Sequence, residues 1–146
     1  MANGQSELGE SLFERLSGLY ADATPVEAVP RSQRRAKSIA DHLHRMFNTR
    51  QGSVPQLPDY GLPDISEIYR RLPGSLKDLE ETLIVLTQKY EPRLERVRIR
   101  PVPTSPNEFR LTFEMAAVMK GGGRILLKTS FTSSGETDVE AMSRNG

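Results

Sequence analysis

Tyr90-Glu91-Pro92-Arg93-Leu94-Glu95-Arg96-Val97-Arg98-Ile99-Arg100 is where the chain changes from one kind of regular structure to another. Upstream, Leu76, Leu79, Leu83, Leu86 and Tyr90 recur at steps of three and four, the spacing of one helix face. Downstream, Val97 and Ile99 alternate with Arg96, Arg98 and Arg100, the spacing of a strand with an apolar and a basic side. Proline lacks an N–H and disfavours helical geometry in the residue before it, so the helix should stop at Glu91. Glu91 and Arg93 then flank a rigid corner. Charges held in that way suit recognition or a structural clamp better than catalysis.

Working back from the corner, Ser75-x-x-Asp78 reads as a capped start for this helix, and Pro73-Gly74 closes a shorter one running from Asp64 through Ile65, Ile68, Tyr69 and Leu72. Pro55, Pro58 and Pro63 make residues 48–64 an ordered loop over the core. Ala36, Ile39, Ala40, Leu43, Met46 and Phe47 predict a helix over 32–47 with most basic residues off its apolar stripe. Residues 1–30 form an expected N-terminal arm: polar to residue 10, then a short helix from Ser11 with Leu12, Phe13 and Leu16 on one side, then a linker from Pro25 to Pro30.

Working forward, Phe109, Leu111, Phe113, Met115, Ala117 and Met119 alternate along a long strand. Gly121-Gly122-Gly123 allows a hairpin turn, and Ile125, Leu127, Thr129 and Phe131 alternate back. The expected fold is α+β, with helices on one face of a small, mainly antiparallel three-stranded sheet. Residues 31–132 form its single domain, and residues 133–146 are read as a disordered polar tail.

The bulk composition fits that plan. The 146 residues suit one core, with 36% hydrophobic and 27% charged residues and a net charge of +1. So small a net charge gives no global signature of a nucleic-acid binder. Its distribution is uneven: residues 1–30 hold Glu7, Glu10, Glu14, Asp22 and Glu27 against Arg15, while residues 31–50 hold six cations against Asp41. An acidic arm before a basic helix suggests an interaction protein. Cysteine is absent, which removes disulfides, thiolate nucleophiles and cysteine metal sites. Neither a signal peptide nor an apolar run of membrane-spanning length is visible, and the expected compartment is the cytoplasm.

Motifs for catalysis are weak. A glycosidase needs two carboxyl groups across a cleft, whereas Glu80 and Glu81 are neighbours on a helix and Glu91 has no evident acidic partner. His42 and His44 diverge on a helix and read as surface histidines rather than metal ligands. The triglycine lacks the ending of a phosphate loop and sits between strands. Arg96, Arg98 and Arg100 read either as a solvated, charge-protected sheet face or as a surface for an acidic protein partner. Without interleaved aromatics they make a poor nucleic-acid surface. The residues predict no catalytic group, cofactor or metal.

Four segments in order carry a family resemblance: Ser11-Leu12-Phe13-Glu14-Arg15-Leu16, Asn48-Thr49-Arg50-Gln51-Gly52-Ser53, Asp59-Tyr60-Gly61-Leu62-Pro63-Asp64 and Tyr90-Glu91-Pro92-Arg93-Leu94. Together, over most of residues 11–132, they resemble the baseplate wedge family of contractile phage tails, historically labelled lysozyme-like, and within it the TssE subunits of type VI secretion baseplates. The resemblance implies a non-enzymatic structural part that joins the wedge proteins TssF and TssG, with TssK as a further partner. Such a part helps to start polymerisation of sheath subunits at the cytoplasmic side of the envelope. It implies partner contacts through Glu91, Pro92 and Arg93, with Arg50 in the second segment and Leu12, Phe13 and Leu16 of the arm as further candidates. An exposed sheet edge could take a strand from a sheath subunit. Two other expectations stand beside it: a peptidoglycan hydrolase, from the family's inherited label, and a stress-response anti-adaptor using a related fold.

Overall fold

The computed structural model describes residues 31–103 and 110–142. Among these described residues three helices, α1 (Arg31–Phe47), α2 (Ile65–Arg70) and α3 (Ser75–Tyr90), precede four strands. The strands are β1 (Leu94–Val102), β2 (Arg110–Met119), β3 (Arg124–Thr132) and β4 (Thr137–Ala141). They form one antiparallel meander in the order β1-β2-β3-β4. The expectation of three strands is therefore wrong, and residues 137–141 of the expected disordered tail supply the fourth. The expected arm of residues 1–30, with Leu12, Phe13 and Leu16, lies outside the described residues.

The helices lie on one face of the sheet because each side presents one apolar stripe. Helix α1 buries Ile39, Ala40, Leu43, Met46 and Phe47, and α3 buries Leu79, Leu83 and Leu86. The sheet answers with Val97, Ile99, Phe113, Met115, Ala117, Ile125, Leu127, Phe131 and Val139. Phe131 stands at the centre, 6.4 Å from the Phe47 ring and edge-on to Phe113 at 5.9 Å, in the tilted geometries aromatic quadrupoles favour. Truncating a fully buried leucine of this cluster would cost about 2–5 kcal/mol.

Local chemistry sets the ends of the elements. Asp64 caps α2, accepting from the Ser66 N–H at 3.0 Å and its hydroxyl at 2.7 Å. Ser75 does not cap α3 as its spacing suggests. Its hydroxyl donates instead to the Ile68 carbonyl at 2.5 Å, tying α3 to α2, and Gly74 stands at the cap position with no side-chain bond. The other end of α3 stops at Tyr90, with the Glu91 N–H on the Thr87 carbonyl at 3.0 Å.

Strand β1 begins with a bulge: Glu95 faces Val118 and Arg98 faces Ala116, so Arg96 and Val97 share one position opposite β2. The extra residue lets Leu94, Val97 and Ile99 all turn inward. Arg96 absorbs the kink at φ 53°, a left-handed backbone uncommon outside glycine. Arg98 and Arg100 alternate as expected, but Arg96 is the bulge residue rather than the first of a three-arginine stripe. Across the open face, Arg100, Glu114, Lys128 and Glu140 are register partners, alternating in sign from β1 to β4. Opposite charges directly across strands stabilise by roughly 0.2–1 kcal/mol per pair.

Strand β4 hides in the sequence because little of it is apolar. Its inward positions are Thr137 and Val139, and Asp138 and Glu140 face out. A side chain far away completes it. Asn48, just past α1, donates to the Thr137 carbonyl at 2.9 Å and accepts the Thr137 N–H at 3.0 Å, acting as one residue of a fifth strand. The Thr137 hydroxyl donates to the Phe47 carbonyl at 3.2 Å, so the end of α1 and the start of β4 satisfy each other.

Candidate functional site

The corner after α3 is closed by an ion pair inside the protein. Glu91 is 0% exposed and Arg93 9% exposed. The guanidinium grips the carboxylate with two bonds, Nε to Oε1 at 2.8 Å and Nη2 to Oε2 at 2.9 Å. The Arg93 backbone N–H adds a third at 3.1 Å. The two side chains flank Pro92 and meet across the turn it occupies between α3 and β1. This parallel, two-bond geometry is the strong form of carboxylate recognition.

Helix α1 supplies the rest. His42 Nδ1 lies 2.7 Å from Glu91 Oε2, and Arg93 Nη1 donates to the Ser38 hydroxyl at 2.6 Å. One turn earlier, Arg35 donates to the Lys120 carbonyl at 2.8 Å and the Gly122 carbonyl at 2.6 Å, holding the β2–β3 turn. The Lys120 N–H in turn donates to the Arg93 carbonyl at 2.8 Å. Arg35, Ser38 and His42 are spaced three and four apart, a polar stripe beside the apolar one. The sequence reading assigned His42 to the surface with His44. His44 is exposed, but His42 is only part-exposed and bound to Glu91. The polar stripe was the available signal.

Burial by itself would push the Glu91 carboxyl up. The hydrogen bonds from Arg93 and His42 and their charges outweigh it, holding the group down at about 2. Glu91 is thus a fixed anion at physiological pH. A general acid for glycoside cleavage needs the opposite, a carboxyl kept protonated near neutrality.

The second and third sequence segments meet next to this corner. The Gln51 N–H donates to the Leu62 carbonyl at 2.8 Å and the Leu62 N–H to the Thr49 carbonyl at 2.9 Å, a parallel bridge of Arg50 with Leu62. Gly61 allows this approach. With φ 101°, a Cβ there would sit 2.4 Å from the Thr49 carbonyl oxygen, closer than any packing tolerates. Above the bridge, Arg50 pairs with Asp64 at 3.0 Å, both well exposed. Asp59 accepts from Lys89 and from the Tyr90 hydroxyl, and Tyr60 packs edge-on to Tyr90 at 5.0 Å. The bonds from Lys89 and Tyr90 hold the Asp59 carboxyl below its ordinary range.

Of the partner-binding candidates, Glu91 and Arg93 are therefore together and inward, with Pro92 exposed between them. Arg50 is exposed on the loop, paired with Asp64 beside the β3–β4 turn. Among the described residues, no group of three or more acids and histidines could hold a metal, and no helix is long and apolar enough to cross a membrane.

Comparison with known proteins locates this arrangement. The family model for baseplate wedge protein gp25 matches residues 33–123, which span α1, the loop, the corner and the β2–β3 turn. A chain in a solved baseplate complex from the type VI secretion system superposes with a TM-score of 0.60 at 28% identity, covering 80% of this chain and 100% of that one. A protein from Geobacter sulfurreducens described as a tail lysozyme superposes with a TM-score of 0.52 at 18% identity, covering 76% and 94%. At that identity the second likeness shows the fold alone. No curated protein sequence matches.

Proposed function

The chain belongs to the family of the baseplate wedge protein gp25, and from that premise we propose that it is the TssE-type structural subunit of a type VI secretion baseplate. The observation that carries this reading is the likeness, at 28% identity, to the full length of a chain in a type VI baseplate complex. In this reading the subunit docks to the wedge proteins TssF and TssG, near TssK, and helps to start sheath polymerisation at the cytoplasmic side of the envelope. It does so without catalysis. The ionised state of Glu91, locked between Arg93 and His42, favours that view over a hydrolase.

The geometry suggests how the corner serves docking. Glu91 and Arg93 spend their bonding capacity on each other and on α1. Their contribution is to fix the shape of the corner, which presents Pro92 beside the loop residues Asp59 and Tyr60 that pack on Tyr90. Among the described residues the outer strands of the sheet are β1 and β4, and Asn48 already holds the backbone of Thr137 at the start of β4. β1 carries Pro101, which cannot donate to an added strand, so β4 beyond Thr137 is the edge better suited to a sheath strand.

Co-purification with TssF and TssG tests the docking role. Pro92→Ala trims the exposed tip without adding a charge, and the acid-unfolding profile of Glu91 reports whether the ion pair survives it. The variant is expected to keep its melting temperature and lose capture of the wedge proteins. Unimpaired capture would remove the corner from the interface. Purified protein is expected to leave peptidoglycan suspensions unclarified. Clarification abolished by a single carboxylate substitution would reinstate the hydrolase.

A further inference from the structure

A groove of about 390 Å³ runs between α3 and the loop that carries the parallel bridge. One wall is the outer stripe of α3: Asp78, Glu81, Thr82, Val85 and Lys89. The other is Gln51, Asp59 and Gly61, and Leu86 forms the floor. Val85 is 60% exposed, more than the other large hydrophobic residues in the described chain that face solvent. The loop wall is rigid, since Gln51 and Gly61 flank the backbone bonds to Leu62 and Thr49. We propose that this groove is a docking site for a protein segment that presents an aliphatic side chain flanked by lysine or arginine.

The occupant follows from charge and size. Lys89 is already bound to Asp59, which closes one end of the groove. Asp78 and Glu81 remain along the open side, with no ion pair to a described cation. Asp78 also suits the first turn of a helix, where the dipole favours an anion. Glu81 lies a turn further on and has no such role. An aliphatic side chain over Val85 and Leu86 would remove apolar surface from water, and a neighbouring cation would reach the two free carboxylates. The volume admits a few side chains rather than the face of a second domain. The chain's own residues 1–30 have the wrong sign, with five acids and one arginine. The inference stands apart from the baseplate reading, because it rests on the groove alone.

The test uses the full chain with labelled methyl groups and two probes, an amphipathic leucine–lysine peptide and its leucine–glutamate counterpart. The lysine peptide is expected to move the Val85 and Leu86 signals saturably, and the glutamate peptide to leave them unmoved. Combining Asp78→Asn with Glu81→Gln should weaken binding roughly fivefold or more without lowering the melting temperature. Val85→Ser should weaken it comparably. The proposal is overturned if the lysine peptide leaves Val85 and Leu86 unmoved, if its shifts appear only around Asp138 and Glu140, or if the charge-neutral variant binds equally well. Sedimentation showing a self-dimer that covers Val85 would overturn it too.

Discussion

Two arginine–carboxylate pairs, one beside the β2–β3 turn and one beside the β3–β4 turn, do different work in this fold. Glu91–Arg93 is almost wholly out of solvent, doubly bonded and extended by His42 and Ser38. Arg50–Asp64 spans a single 3.0 Å contact with its side chains 70% and 41% exposed. The chemistry of the groups is the same. What differs is the cost of taking a charge out of water, several kcal/mol per ion inside a protein and close to nothing at the surface. The inner pair is therefore an obligation, in which each charge requires the other. The outer pair is left free to exchange its partner.

The sharpest way to break the contrast is to remove half of each pair. Arg93→Ala strands the Glu91 carboxylate and should cost about 3–5 kcal/mol in urea unfolding, as should Glu91→Ala, which strands the guanidinium. A loss under 1 kcal/mol from both would mean that water reaches the corner, and the inner pair would resemble the outer one. The joint change Glu91→Gln with Arg93→Met should recover much of the loss, because no charge is left buried.

Acid gives the next largest effect. The Glu91 carboxyl falls from an ordinary 4.5 to about 2 in the folded chain. Its stabilisation is thus complete above about pH 4.5 and is lost as pH falls toward 2, a contribution on the order of 3 kcal/mol. Urea titrations across that window should show the decline, and Glu91→Gln should flatten it. An equal slope in that variant would assign acid lability to other carboxylates.

The outer pair supplies the smallest effect. Arg50→Ala should change stability by less than about 1 kcal/mol, with the difference fading in high salt. A larger, salt-independent loss would show that Arg50 holds the loop bridge and is unavailable to a partner.

The elements read most easily from sequence were those whose apolar spacing repeats. The stripe of α3, the stop at Glu91, the alternation through Phe113, Met115 and Ala117 and the triglycine turn all follow from local periodicity and backbone chemistry. Strand β4 escaped because Thr137 and Val139 are its only buried residues and Asn48, far away in sequence, completes its pairing. The bulge at Arg96 escaped because nothing in an alternating Arg-Val-Arg-Ile run marks one residue as extra. His42 was misplaced for a related reason: a polar residue on a helix looks solvated until the element across from it is known.

The sequence by itself determined that Glu91-Pro92-Arg93 is a corner between a helix and a strand, since proline's missing N–H and fixed ring act within a few residues. Only the tertiary structure decided that this corner faces inward. That outcome depends on Ser38 and His42, half the domain away in sequence, and on how much water the packed helices leave around two opposite charges.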